Sequence, residues 1–498
     1  MIPFQYGEAE SFRGVLAIVV LSGSVQLWFV EFIDRSDELN RLEELSHSGQ
    51  GGLAVIWGRR RVGKTRLLLE WSAKHDGLYT VADQSAPSIQ REFLAEAVSK
   101  RFSGFVSVVY PHWRSFLDHL VSDSARTEWT GPIIFDEFPY LIAADSSLAS
   151  IFQNWIDHEA KKAGLTVAVA GSSQRMMQGL VLDSAAPLYG RSRVQFELKP
   201  LLPGYIQTAM KYATAVQAYS IWGGIPRYWE LAEIFGNDIE EAVDCCVLDP
   251  LSPLFREPER LLLEETPPAI SLRPLLDLIG AGVHRVSELA RRLGIPATSL
   301  SRPLSRLIEL GLVIRETPYG EPERTSKKSL YRIADPFFRL WFRVVAPNKA
   351  VLTQTPPETR KTLWTRYRSG LVAETWEELC RRCVPMLHRG SSNLGKLGPW
   401  EPAKRYWRGN DPEWDVVSRS IDGERLLLGE AKWSGGLMSD QEIRGAFHEL
   451  LRKGIPQLRG VDKTKTAYAL FIPELPSSKV REPSLCLVDA ETVLSSLR

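Results

Sequence analysis

The chain has 498 residues, 44% hydrophobic and 24% charged, which excludes wholesale disorder and fits roughly three domains of about 150 residues each. Its 61 Lys and Arg nearly cancel 60 Asp and Glu, so the net charge of +1 excludes a polybasic, histone-like protein but not a local basic face. Five scattered cysteines make no disulfide framework and point to a reducing cytoplasm.

Residues 14–30 carry no charge and approach the lower limit for a membrane span, but they lack a basic leader and a small-residue cleavage site. An apolar extension (1–30) packed on the next domain is the simpler reading, with a membrane anchor or an early start as alternatives.

The domain-like pattern opens at Glu31, with Leu39, Leu42 and Leu45 at helical spacing. An apolar strand, Leu53–Trp57, then runs into GRRRVGKT: Gly58, Arg59, Arg60, Arg61, Val62, Gly63, Lys64 and Thr65. Strand, glycine loop and helix in this order form the phosphate-binding motif. Its backbone N–H groups would cradle phosphate oxygens, Lys64 would reach the outer phosphates, and Thr65 would ligate Mg2+. A second apolar strand ends in Asp136 and Glu137. At that edge Asp136 would hold magnesium and Glu137 would act as general base toward water. A third strand leads into Ser172, Ser173 and Gln174, placed where a polar residue could sense the terminal phosphate, with Ser173 the candidate nucleotide contact. Arg191 precedes the next strand, either as a plain surface arginine or as a transition-state arginine offered to a neighbouring subunit.

The series FIDRSDEL, GRRRVGKT, IIFDEFPYL, AGSS, PLYGR and WGGIPRYWEL resembles the archaeal and bacterial ATPase family within the AAA+ and STAND-like P-loop group. That resemblance implies a helical lid, with Gly223, Gly224 and Pro226 turning over the nucleotide. Arg227 there is a second phosphate sensor or, more simply, a surface arginine. It also implies a following winged helix and often a nuclease-like tail.

Val286–Leu293, a GIP turn and Thr298–Leu310 read as helix-turn-helix, followed by a β-wing. Pro303 inside the second helix would kink or delay it. Residues 284–332 carry ten Lys/Arg against five Asp/Glu, a local +5. Arg302 and Arg306 on the helix, and Arg324, Lys327 and Lys328 in the wing, are the expected DNA contacts. Protein docking is the competing use of such a module.

In the final segment AETWEELCRR forms an amphipathic helix, and Asp415 is followed, after an Asp-Gly turn, by Glu430 and Lys432 on one face of a strand. This resembles a PD-(D/E)xK nuclease core. Asp415, Glu430 and the helix residue Glu377 (Glu374 as fallback) would hold Mg2+ or Mn2+, with Lys432 catalytic. Residues 381–408 add +6, interleaved with Trp400, Tyr406 and Trp407: a nucleic-acid surface, or a solvated loop over core tryptophans. Cys380 and Cys383 have no second pair and do not read as a zinc site.

The expected fold is α/β: a P-loop parallel-sheet ATPase (31–200) with a helical lid (201–268), a winged helix (269–335), a connecting helix (336–365) and a restriction-endonuclease-like domain (366–498). ATP and DNA are the expected partners in the cytoplasm, a homo-oligomer or protein partner is left open, and a membrane is not expected. The competing function is a nucleotide-dependent regulatory switch that binds DNA or protein without cleavage.

Overall fold

The computed structural model describes residues 32–206, 210–265, 272–387, 392–434, 437–458, 465–476 and 484–498. The apolar extension 1–30 lies outside them. Among the described residues, no helix is long and apolar enough to cross a membrane.

The first sheet is built from strands that are apolar on both faces, as parallel strands covered by helices must be. β1 (Gly52–Trp57), β2 (Leu78–Val81), β3 (Ile133–Asp136), β4 (Thr166–Gly171) and β5 (Ser192–Glu197) align in the order β2-β3-β4-β1-β5, all parallel. β1, β3 and β4 are almost wholly buried, whereas β5 alternates, as befits an edge. One face packs on the helices Ser36–His47 and Lys64–Lys74 through Leu42, Leu67, Leu68 and Trp71. The other packs on an aromatic layer that includes Trp113, Phe116, Phe138 and Phe152. The carboxyl ends of β1, β3 and β4 therefore open onto one crevice, where ligands bind in such sheets.

Two short helices, Val286–Leu293 and Ser301–Glu309, and the antiparallel pair β6 (Val313–Glu316) and β7 (Leu330–Ile333) form the winged-helix unit. The second helix starts later than its pattern suggests: a 3₁₀ turn, Ala297–Leu300, precedes it. Pro303 thus falls in the first helical turn, where a missing N–H costs no intrahelical bond.

The expected single connecting helix over 336–365 is not formed. Pro336–Leu340 passes through π and 3₁₀ turns to Lys349–Gln354, and a new helix, Glu358–Cys383, then runs unbroken across position 365. Pro347 and the Pro356-Pro357 pair supply the interruptions. The long helix buries Trp376, Leu379 and Cys383. It packs against a second five-stranded sheet in the order β12-β11-β10-β9-β8, made of β8 (Lys404–Tyr406), β9 (Trp414–Arg419), β10 (Leu426–Ala431), β11 (Thr466–Phe471) and β12 (Leu485–Val488). β8, β9 and β10 are antiparallel neighbours, and β10, β11 and β12 run parallel.

Candidate functional site

The loop between β1 and its helix needs backbone shapes that side chains resist. Gly58 has φ 153°, and a Cβ there would lie 2.5 Å from the Leu198 carbonyl; Gly63 has φ 102°. Arg61 is held at φ 67° without being glycine, a strained backbone of the kind that collects at ligand loops. The Arg35 guanidinium braces the loop from behind, donating to Val62 O (3.2 Å) and Lys199 O (2.6 Å). Lys64 is buried and donates to the carbonyls of Gly58 (2.7 Å) and Arg59 (3.3 Å).

Asp136 ends β3, fully buried. One carboxylate oxygen accepts from Thr65 Oγ1 and from the Tyr79 hydroxyl, each at 2.8 Å, and the other from the Glu137 N–H at 2.9 Å. Burial, and then the Asp136 charge, push the Tyr79 hydroxyl well above its ordinary pKa, so it is a fixed donor. Thr65 and Asp136 thus meet as a hydroxyl and a buried carboxylate, a donor set that fits a hard divalent ion carried by a nucleotide. Glu137 sits at φ 53°. Its carboxylate accepts from the Ser172 hydroxyl and from Ser172 N at 3.2 Å.

A cavity of about 540 Å³ spans this region. Phe32, Ile33, Leu69 and Leu201 line its apolar part, and residues 60–66 with Glu137 and Ser172 its polar part. Pro226 and Arg227 close it from the lid. The GGIP turn approaches closely there: a Cβ on Gly224 would stand 2.2 Å from Leu201 O. Arg227 is half-exposed and pairs with Glu230 at 2.8 Å.

Some residues differ from expectation. The Arg59 side chain does not face the cavity: it is enclosed and paired with Asp335 at 2.7 Å, because that buried carboxylate and the Tyr228 hydroxyl offer it partners on the far side. Arg61 lines the cavity but also reaches Glu257 at 3.0 Å. Ser172, not Ser173, holds Glu137, while Ser173 Oγ accepts from Met176 N at 3.4 Å at the start of the next helix. Arg191 pairs with Asp157 at 3.0 Å and donates to Pro187 O. Tyr79, Arg35 and Phe32 were not read as site residues from the sequence, and Ser172 was read there without its role toward Glu137. Their contacts span many positions, and only the FIDR run hinted at a role.

In the tail, the hairpin register puts Val416 opposite Gly429, so Asp415 and Glu430 are neighbours across the strands. Asp415 accepts from Ala431 N at 3.1 Å. Burial, and then the Asp415 charge, raise the carboxyls of both Glu377 and Glu430. Each flanking acid also has a cation: Arg381 lies 3.7 Å from Glu377, while Lys432 (3.5 Å) and, closer still, Lys453 pair with Glu430. Lys453, on the helix Asp440–Lys453, carried no sequence signal. Among the described residues, no group of three or more His, Cys, Asp or Glu is arranged to hold a metal ion. Glu374, the fallback, is committed elsewhere. Arg332 (2.6 Å), Arg343 (2.7 Å) and Arg339 (3.4 Å) surround it, and against the upward push of burial they hold its pKa at about 2.

The basic segments are largely paired within the chain. Arg381 is buried, Lys404 pairs with Glu323 of the wing at 2.6 Å, and Tyr319 N donates to Arg405 O at 2.7 Å. Trp400, Tyr406 and Trp407 are buried, so of the two readings the one with core tryptophans holds and their part in a nucleic-acid surface is corrected: they lie in the core, at or beside the sheet edge. Arg306 is half-buried against Glu309 (3.3 Å), and Lys328 pairs with Glu321. Arg302, Arg324 and Lys327 are exposed, as is the run 296–299 before the second helix.

A five-stranded parallel sheet with a glycine phosphate loop after β1 and acids ending β3 defines a P-loop ATPase domain. A family model described as an ATPase domain predominantly from Archaea matches residues 32–231, a MarR family model matches 274–320, and a model of archaeal and bacterial proteins of unknown function matches 341–446. Residues 32–231 are thus similar to an archaeal-type ATPase domain, and residues 274–320 to a MarR-type winged helix. It is similar to an uncharacterized protein of Methanocaldococcus jannaschii, 28% identical over 463 residues, covering 90% of this chain and 97% of that one. Among solved structures, a Walker-type ATPase of Pyrococcus abyssi shares 20% identity with a TM-score of 0.48, covering 64% of this chain and 99% of that one. The ORC2 protein of Aeropyrum pernix shares 16% with a TM-score of 0.38, covering 68% and 93%.

Proposed function

We propose that this protein binds and hydrolyses ATP and that its nucleotide state controls a DNA contact made by the winged helix. The observation that carries the reading is that Lys64, Thr65 and Glu137 line one 540 Å³ cavity, with Asp136 directly behind Thr65. Bound ATP would draw Lys64 from its loop carbonyls onto phosphate oxygens. Thr65 and Asp136 would hold magnesium, which supplies charge neutralisation at the phosphates. Glu137, fixed by Ser172, would accept a proton from a water attacking the γ-phosphorus. The new O–P bond forms as the bond to the β–γ bridging oxygen breaks.

On the DNA side, Arg302, Arg324 and Lys327, with the exposed start of the second helix, are the groups free to meet phosphates. For the tail we propose metal-dependent DNA cleavage by Asp415, Glu430, Glu377 and Lys432, gated by the same nucleotide state. The supporting feature is the cross-strand pairing of Asp415, near the start of β9, with Glu430 at the end of β10, where Lys432 lies 3.5 Å from Glu430. A second reading, a regulatory switch without cleavage, is favoured by one observation: Lys453 already neutralises Glu430. Plasmid and single-stranded DNA incubated with Mg2+ or Mn2+, with and without ATP, test this. Cleavage lost in Asp415→Asn supports the nuclease; cleavage that persists in Asp415→Asn and Glu430→Gln rejects this site, and no cleavage under any condition supports the switch.

A further inference from the structure

We propose that Asp335 is a positioning residue for the phosphate loop, acting through Arg59, so that the segment leaving the winged helix helps to set the ATP site. This rests on the reading that loop 58–65 binds ATP.

Arg59 belongs to the loop by its backbone and to the rest of the molecule by its side chain. Its carbonyl accepts from Lys64 Nζ at 3.3 Å. Its guanidinium pairs with Asp335 Oδ2 at 2.7 Å, donates to the Tyr228 hydroxyl on the lid helix Pro226–Ala232 at 3.1 Å, and lies 4.3 Å from the Phe338 ring centre. Lid and winged-helix exit therefore converge on one loop residue. Asp335 has both carboxylate oxygens committed, since Oδ1 accepts from Phe338 N at 2.9 Å and caps the helix Pro336–Leu340.

The same helix carries Arg339, which donates to Glu378 at 2.8 Å and Thr375 at 3.2 Å on Glu358–Cys383, the helix that also bears Glu377. A nucleotide that takes Lys64 from the Gly58 and Arg59 carbonyls changes the hydrogen bonding of the Arg59 backbone, and Asp335 is the buried charge that holds its other end. Packed contiguity is not coupling in itself; coupling is a measured non-additivity.

The test uses the full chain and a fluorescent ADP analogue. Asp335→Asn keeps the helix cap, because asparagine caps as well as aspartate, and removes the charge facing Arg59. Arg59→Lys keeps the charge and removes the forked reach. Each substitution is expected to raise the Kd at least tenfold, and the double variant to bind about as weakly as the worse single one. A merely structural Asp335 would lower the melting temperature and leave Kd unchanged; that result, or single effects that multiply in the double variant, overturns the proposal. Hydrogen exchange on the unsubstituted protein is a second measurement that needs no variant to fold. Amides of Phe337–Leu340 should exchange more slowly with ADP bound, and unchanged exchange overturns it too. Failure of the unsubstituted protein to bind the analogue would instead reject the ATP reading itself.

Discussion

Ser172 holds the Glu137 carboxylate through both its backbone N–H (3.2 Å) and its hydroxyl, although the two residues lie 35 positions apart. The hydroxyl bond fixes a group whose task would be to take a proton from water. We predict that Glu137→Gln lowers ATP turnover by about 10²–10⁴-fold while nucleotide still binds, the range of a lost general base. Ser172→Ala, which frees the carboxylate without removing it, should cost less than Glu137→Gln and be reversed by Thr at the position. Single-turnover hydrolysis with a parallel binding titration measures both; equal turnover in all variants would remove Glu137 from the mechanism.

Lys64→Ala should abolish hydrolysis and leave the melting temperature near that of the parent. Lys64 itself lines the cavity, so water can enter the space its side chain leaves and meet the carbonyls of Gly58 and Arg59. Unchanged turnover contradicts the ATP-site assignment.

The Glu374 cluster predicts a pH dependence. Three arginines hold this carboxyl at about 2 rather than its ordinary 4.5. A depressed acid stabilises the fold above its ordinary pKa and loses that contribution as pH falls toward the folded value. The contribution is about 3 kcal/mol. Glu374→Gln should therefore melt well below the parent at pH 7, and the gap should narrow between pH 4.5 and 2. A gap independent of pH would mean that the cluster acts through packing alone.

The sequence disclosed the parts that chemistry forces into short runs. The glycine loop, the acids ending β3 and the Asp415–Glu430 pairing across an Asp-Gly hairpin were all readable locally. What it hid were long-range choices. Arg59 sits inside the phosphate motif, yet its side chain is claimed by a carboxylate 276 positions later. Ser172 and Ser173 are indistinguishable by type, and only the path of β4 decides which meets Glu137. The +6 of residues 381–408 is real as a count, but Arg381, Lys404 and Arg405 are paired to acids of the long helix, the wing and the loop before β9. A charge count cannot see such pairing.

For DNA, Arg302→Ala should weaken binding across sequences and reduce the slope of log K against log salt by about 1, the signature of one lost phosphate contact. Lys328→Ala, paired with Glu321, should change it less. Filter binding across a salt series distinguishes them; identical slopes for Arg302→Ala and the parent would place the DNA face elsewhere.

The central claim is that nucleotide state governs the DNA contact. Fluorescence anisotropy of labelled duplex DNA with the Glu137→Gln protein, loaded with ATP or with ADP, tests it most directly. The account predicts DNA affinities that differ at least tenfold between the two nucleotides at fixed salt; equal affinities would contradict it.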